Sequence, residues 1–405
     1  MNQIKEILKQ TGKSQKWLSE KADISYYMIN NYVKNKKQPN ISDLNTIANI
    51  LNVNVYELIE NQQKEFNEPQ LKFNHQNLKK NTLREKKIKV FEAFTGYGGA
   101  SFGLKKANIK HEIIGYSEID KNAIELFEYN FPFIPNFGDI MKIDEKKLPD
   151  FDLFTGGFPC QPFSTVGKRE GELDIRGTLF EDIIRICDFK KPKYILLENV
   201  KGLALGKLKP TYHKIISELE KIGYDVRSKI MNTKDYGIPQ NRERLWIFGY
   251  KGSLPDFFDI EPPKIELKQS IKDYLDKDID EMLYRSKKQI DRIKELHGVE
   301  KFDVEEPLCY DYYNRKIKTN GLCMTITPPE HNVIRIVEPI ENGEEKLRKL
   351  SLNEHYRLMG FTMNEHIKEI KFPPNQTYSK MGKCAGNGWD VNLVSKIFKH
   401  IFEQI

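Results

Sequence analysis

The chain is predicted to combine an α/β unit with a small all-α unit at its N-terminus, on three observations. From about residue 88 to 250, short apolar runs alternate with segments of helical period. Across the first sixty residues, apolar positions recur only at helical spacing. The stretch 61–87 between them is polar with few apolar anchors and reads as a linker. Strands are expected near 88–94, 112–117, 151–155, 193–198, 225–231 and 244–250, with helices such as 121–130 and 178–188 between them. Such alternation builds a mostly parallel sheet with helices on both faces, which binds ligands at the carboxyl ends of its strands.

In residues 1–60 the repeating positions are Ile4, Ile7 and Leu8, then Trp17, Leu18 and Ala22, then Ile29 and Tyr32, then Leu44, Ile47, Ala48 and Leu51. Ser14 and Ser25 are expected helix N-caps, and Asn40 to Ser42 a restart after Pro39, which gives about five short helices. The pattern Gln15, Leu18, Ile24-Ser25, Ile29, Pro39, Leu44, Ile47-Ala48, Leu51 resembles the helix-turn-helix domain of phage-repressor-like regulators. Where that family usually has a glycine in its turn, this chain has Asp23, a residue that tolerates left-handed backbone. The resemblance implies a recognition helix from about Ser25 to Val33 that presents Tyr26, Tyr27, Asn30 and Asn31 to the major groove, with Lys34, Lys36 and Lys37 near phosphates. It also implies operator DNA as a partner and allows a dimer; a helical protein-interaction module is the competing reading.

In the α/β unit, Val90 to Phe94 runs into the glycine-rich turn Thr95-Gly96-Tyr97-Gly98-Gly99 and then a helix. That sequence leaves backbone N–H groups open to a cofactor. A second strand, Ile113 to Ser117, ends in Glu118 about twenty residues on, the spacing at which such folds hold a ribose. Gly138-Asp139 offers a further acid. The next strand, Asp152 to Thr155, leads into Gly156-Gly157-Phe158-Pro159-Cys160-Gln161, which sets a cysteine behind a proline at a strand end. A cysteine on such a rigid turn is placed to act as a nucleophile; the alternative is an inert buried thiol.

Taken in order with Leu197-Glu198-Asn199-Val200, Gln240-Asn241-Arg242-Glu243-Arg244, Arg357-Leu358-Met359-Gly360-Phe361 and Gly386-Asn387, these motifs resemble the cytosine-5 DNA methyltransferases over about residues 88 to 401. The resemblance implies a Rossmann-like catalytic domain at 88–250, a target-recognition domain at 251–330 and a return to the core at 331–405. It implies S-adenosylmethionine as cofactor and double-stranded DNA as partner. Cys160 would add as thiolate to carbon 6 of cytosine, although a free thiol titrates only near ~8.5. Glu198 would bond or protonate ring nitrogen 3, Arg244 would bind the ring carbonyl oxygen, and Arg242 would brace the site or a phosphate. Asn199 would hold the Pro159 turn. Phe94 would pack on adenine, Gly96, Gly98 and Gly99 would let the cofactor approach, Glu118 would take the ribose hydroxyls and Asp139 the adenine amine. Ile119 stands where the family often has a stacking tryptophan, and Pro159 and Asn387 complete the expected cofactor contacts. Ser164, at the start of a loop expected to close over a flipped base, and Thr325 would contact DNA. A regulator on an inactive scaffold and an RNA cytosine-5 methyltransferase are the other classes. The Cys160, Glu198 and Arg244 set speaks against the first, and the long recognition segment with a DNA-reading domain against the second.

Composition sets outer bounds. At 405 residues the chain is long enough for two or three domains, and its net charge of +7 suits a polyanionic partner without demanding one. There is no secretory leader and no apolar run of membrane-spanning length, so a cytoplasmic enzyme with no membrane partner is expected. Five cysteines, Cys160, Cys187, Cys309, Cys323 and Cys384, stand without paired spacing, so neither a disulfide framework nor a metal site is expected.

Overall fold

Four short helices account for the periodicity of the first fifty residues in the computed structural model, which describes residues 2–51, 53, 58, 87–159, 179–328, 334–364 and 366–405. The chain forms two units, Met1–Thr82 and Leu83–Ile405. In the first, α1 (Ile4–Thr11), α2 (Gln15–Ala22), α3 (Tyr26–Val33) and α4 (Ile41–Leu51) close over Ile4, Leu18, Ile29, Tyr32, Ile47 and Leu58. Each start has a chemical cause. Ser14 accepts from the Trp17 N–H at 3.1 Å, Ser25 from Met28 at 3.3 Å, and Asn40 from Asp43 at 2.8 Å. Asp23 ends α2 in the left-handed region at φ 52°. The fifth expected helix and the linker fall outside the described residues, apart from Val53, Leu58 and Lys87.

The second unit is built on β1 (Ile88–Ala93), α5 (Gly99–Lys106), β2 (His111–Ser117), α6 (Lys121–Asn130), β3 (Leu153–Gly157), α7 (Leu179–Lys190), β4 (Tyr194–Val200), α8 (Lys209–Lys221), β5 (Asp225–Asn232), β6 (Gln240–Asn241) and β7 (Glu243–Tyr250). Its main sheet has the order β2-β1-β3-β4-β7-β5, in which β2, β1, β3 and β4 are parallel and β7 runs against both of its neighbours. Successive side chains of a strand point to opposite faces. Here Phe91, Phe154, Ile195, Leu197 and Ile247 pack with α7 and α8, while Val90, Leu153, Leu196, Trp246 and Phe248 pack with α5 and α12 (Val391–Gln404). Burial on both faces explains why these strands read as apolar runs. The tight approach of α5 to α12 requires Gly103, where a Cβ would lie 2.4 Å from Val394.

A second sheet follows α9 (Lys287–His297) and comprises β8 (Leu308–Asp311), β9 (Lys316–Lys318), β11 (Arg335–Glu341) and β12 (Glu344–Lys349), in the antiparallel order β12-β11-β8-β9. The short β10 (Cys323–Met324) instead pairs with β6. The sheet therefore crosses the boundary expected at residue 330, and the chain returns to the core only with α10 (Leu352–Leu358) and α11 (Tyr378–Asn387). The cause is a tight hairpin: Asn342 and Gly343, at φ 52° and 79°, join Glu341 to Glu344 across a two-residue turn whose backbone twist suits paired strands.

An ion pair fastens this sheet to the core. Glu354 is fully buried and receives Arg348 Nη1 at 2.8 Å and Nη2 at 3.0 Å. Arg348 also reaches Glu338 on β11, while Glu354 accepts the N–H groups of Ser351 and Asp276. Removing one member of a buried pair strands the other charge. Glu354→Ala is therefore expected to destabilise the second unit by about 3–5 kcal/mol, read as a lower urea midpoint, whereas exposed Glu300→Ala is expected to leave the midpoint in place.

Candidate active site

Where β1 ends, Phe94, Gly96 and Gly98 all take positive φ, at 51°, 58° and 92°, and turn the chain into α5. Beneath that turn lies Glu92, 3 % exposed, which accepts from the Ala100 N–H at 3.1 Å and from the Ser101 hydroxyl. Burial pushes its carboxyl up to about 7 against these donors. An acid inside an otherwise apolar strand is the sequence signal of such a buried tie. The three glycines have different causes. A Cβ on Gly98 would lie 2.8 Å from Phe127 and one on Gly99 2.8 Å from Trp389, so packing excludes both, whereas Gly96 faces open space.

Glu118 at the end of β2 bridges to this turn. One of its oxygens accepts the Gly96 N–H at 2.9 Å and the other accepts Ile119 and Asp120 at 2.8 and 2.9 Å. An ionised carboxylate has roughly four acceptor sites, so capacity for a ribose hydroxyl remains on the oxygen facing Gly96. Ile119 is 70 % exposed beside it, and Phe94 is half-buried. Asp139 follows Gly138 and caps the next turn by accepting from the Met141 N–H at 3.1 Å. Open space over Gly96, the free acceptor of Glu118 and a second acid fit a small cofactor with a ribose. Asn387 is the exposed last residue of α11.

The ends of β3 and β4 lie side by side, with Gly157 in register with Glu198. Asn199 donates to the Phe158 carbonyl at 2.9 Å and fixes the chain as it enters Pro159. Cys160, Ser164 and the loop through Thr178 lie outside the described residues. Glu198 is buried and receives Arg244 Nε at 2.9 Å. Burial raises its carboxyl above the ordinary range, opposed by Arg244, Arg242 and the indole of Trp389. Arg244 sits on β7 opposite Val200 and also donates to its neighbour's carbonyl.

Arg242 has a different fate. It is 2 % exposed and donates to the carbonyls of Ile326, Gly386 and Gly388 at 2.8, 3.3 and 2.7 Å. These bonds tie the chain between β6 and β7 to two distant segments. Burial, and then Arg244, lower its guanidinium to about 9. Gln240 works alongside, donating to the Leu358 carbonyl at 2.7 Å and accepting from the Ile326 N–H at 2.9 Å. Thr325 donates to the Asn241 carbonyl at 2.7 Å, so a phosphate contact from its hydroxyl would require that group to turn. Thr325 lines a cavity of about 430 Å³ with Lys234, Asn241, Lys318 and Asn320.

In the first unit, Tyr26 and Tyr27 stand on the first turn of α3 at 55 % and 73 % exposure. Asn30 and Asn31 are half-buried on the same helix, and exposed Lys36 and Lys37 follow it with their N–H groups on the Asn31 carbonyl. Among the described residues, no group of His, Cys, Asp and Glu is arranged to hold a metal, and no helix is long and apolar enough to cross a membrane.

Residues 88–403 match the C-5 cytosine-specific DNA methylase family, and residues 3–64 match the Cro/C1-type helix-turn-helix DNA-binding domain. The Type II methyltransferase M1.ScrFI of Lactococcus lactis subsp. cremoris is 36 % identical over 302 residues, covering 73 % of this chain and 74 % of its own. The Type II methyltransferase M.HaeII of Haemophilus aegyptius is 35 % identical, covering 77 % and 92 %. Among solved structures, the Dnmt2 methyltransferase of S. pombe superposes with a TM-score of 0.62 at 22 % identity over 78 % of this chain and 99 % of its own, a likeness of fold. With a buried acid, two arginines and a glycine turn at the carboxyl edge of one sheet, this chain belongs to the C-5 cytosine-specific DNA methylases, as an S-adenosylmethionine-dependent DNA cytosine-5 methyltransferase that carries a DNA-binding helix-turn-helix domain.

Proposed function

We propose that this enzyme modifies cytosine in one specific duplex sequence as the methyltransferase of a restriction-modification system, and that its N-terminal domain regulates expression of that system. The observation that carries the second half is a helical unit with its own core whose α3 offers Tyr26 and Tyr27 to solvent. A domain used only for folding has no reason to expose two aromatic side chains on the helix that such domains place in the major groove. The names of the relatives, Type II methyltransferases, support the first half.

For the reaction, the residues divide the work as follows. Gly96 gives backbone access, Glu118 takes the ribose hydroxyls, Asp139 takes the adenine amine, and Phe94 and Ile119 wall the adenine. The cofactor held there supplies an electrophilic methyl group. Cys160 adds as thiolate to carbon 6 of the flipped base, and the displaced ring electrons make carbon 5 nucleophilic. Glu198 hydrogen-bonds or protonates nitrogen 3 and so accepts the charge that the addition creates. Arg244 orients Glu198 and binds the ring carbonyl oxygen, while Arg242 holds the site together from behind. Carbon 5 would take the methyl group, with S-adenosylhomocysteine as the leaving group, and loss of the carbon 5 proton to water would then return the C–H electron pair to the ring and expel the thiolate.

Cys160→Ser is expected to abolish methylation with the affinity for S-adenosylhomocysteine little changed, because an alkoxide is far less accessible than a thiolate. Calorimetry and single-turnover kinetics check both halves, and near wild-type transfer by this variant would end the mechanism. Glu198→Gln is expected to slow transfer about 10²-fold or more. Burial raises the Glu198 carboxyl, so its proton is retained to higher pH than on a surface acid. The wild-type rate should therefore fall as pH rises through that raised value, and this limb should be missing from the glutamine variant.

A chain beginning near Asn61 is expected to methylate the same cytosine context, read by bisulfite sequencing of plasmid from expressing cells, because the catalytic unit has its own core. It should lose tight binding to one operator, expected upstream of its own coding region. Alanine at Asn30 and Asn31 should reproduce that loss, while changes at Lys36 and Lys37 should weaken binding more evenly and flatten its salt dependence. Methylation of a different sequence by the truncated chain would assign the first domain to target selection instead.

A further inference from the structure

Trp389 occupies the junction between the segments that form the site. Its carbonyl accepts the Tyr97 hydroxyl from the glycine turn, and the carbonyl before it, on Gly388, accepts Arg242 at 2.7 Å. The residue after it, Asp390, caps α12 by accepting from Asn392 and Leu393 at 2.8 and 3.0 Å. Its ring is 7 % exposed and stands edge-on to Trp246 with centroids 4.9 Å apart. With backbone and ring both fixed, the indole N–H has one direction. It runs past Gly157, where a Cβ would lie 2.6 Å from Nε1 and 3.5 Å from a Glu198 carboxylate oxygen, so the indole N–H and the carboxylate flank the same point of β3.

We propose that Trp389 is a positioning residue for Glu198, whose indole N–H holds the carboxyl in the orientation from which it meets the target base. This rests on the role given above to Glu198. Arg244 grips one carboxylate oxygen through Nε, and a single donor leaves the group free to rotate about that contact. A second donor, on a backbone held by Tyr97 and Arg242, removes that freedom, which is how a rigid neighbour prepares a catalytic group before substrate arrives. Gly157 follows as a requirement, since any side chain there would displace the indole.

The neighbouring tryptophan supplies the control. Trp246 belongs to the same ring pair, is 1 % exposed, and its Nε1 has no hydrogen-bond partner among the described residues. Trp389→Phe and Trp246→Phe therefore remove similar volume from one contact, but only the first removes a donor from Glu198. Among the described residues, the titratable groups around that carboxyl are Arg244 and Arg242, with Tyr97 and Asp390 beyond them, and neither variant alters any of these. A hydrogen bond to the ionised form favours it, so its loss should carry the alkaline limb of the rate profile to higher pH.

The test is single-turnover methylation across pH by the full-length enzyme with duplex DNA and S-adenosylmethionine. Trp389→Phe is expected to lose roughly tenfold or more in rate with its alkaline limb moved up, as loss of a bond to a charged group implies. Trp246→Phe should keep the wild-type limb. Gly157→Ala, which displaces the indole from the other side, should move the limb as Trp389→Phe does and provides the readout if that variant fails to fold. In a Glu198→Gln background, Trp389→Phe should cost much less than it does alone, because the two act through one contact. Equal profiles for the two tryptophan variants, with Glu198→Gln slowed as expected above, would overturn the positioning role alone. A Glu198→Gln enzyme at near wild-type rate would overturn the role of Glu198 on which it stands.

Discussion

The buried guanidinium of Arg242 is the constraint on which the site depends. Its donors reach carbonyls on segments about 84 and 144 residues further along the chain, just before the small sheet's last hairpin and at the end of α11. Burying a cation is costly unless its protons are satisfied, and three carbonyls meet that need here. The consequence is geometric. Arg244 lies two residues on, so a brace that fixes the chain at 242 also fixes the Arg244 to Glu198 pair at the edge of the sheet. The same brace places Gly388, and with it the indole of Trp389.

Electrostatics at this edge are a balance of opposed effects. Burial favours a neutral Glu198, while Arg244, Arg242 and the indole favour its carboxylate. A group so poised can change protonation as charge develops on a bound base, which a surface acid or a strongly paired one could not do as readily. Glu92 shows the same tension beneath the cofactor turn, where burial raises a carboxyl that ties β1 to the start of α5. The Arg348 to Glu354 pair differs in purpose. It is bidentate and joins the second sheet to α10, so that both share one apolar cluster with Tyr97 and Phe361.

Much of this was legible in the sequence because the physics was local. Strands buried on both faces announce themselves as apolar runs, and β1, β3, β4 and β7 fall within a few residues of where those runs stand. Ser14, Ser25, Asn40 and Asp23 act at helix ends as their side chains dictate. The end of the second sheet was missed although Asn342-Gly343 signals a hairpin, because Glu344 to Lys349 is so charged that its alternation reads as loop. Tyr97 and Trp389 escaped for another reason. Their meaning lies in contacts across 292 residues, which no local pattern encodes.

The central claim is that chemistry begins with addition of Cys160 at the carboxyl edge of the sheet, next to Glu198. Its most direct measurement is covalent trapping on a duplex that carries 5-fluorocytosine at the methylated position, where the fluorine that replaces the carbon 5 proton prevents release of the thiolate. A stable adduct that survives denaturation, needs S-adenosylmethionine and maps by peptide mass to Cys160 is the predicted result. Methylation of the normal duplex without any trapped adduct, or an adduct on Cys187, Cys309, Cys323 or Cys384, would contradict it.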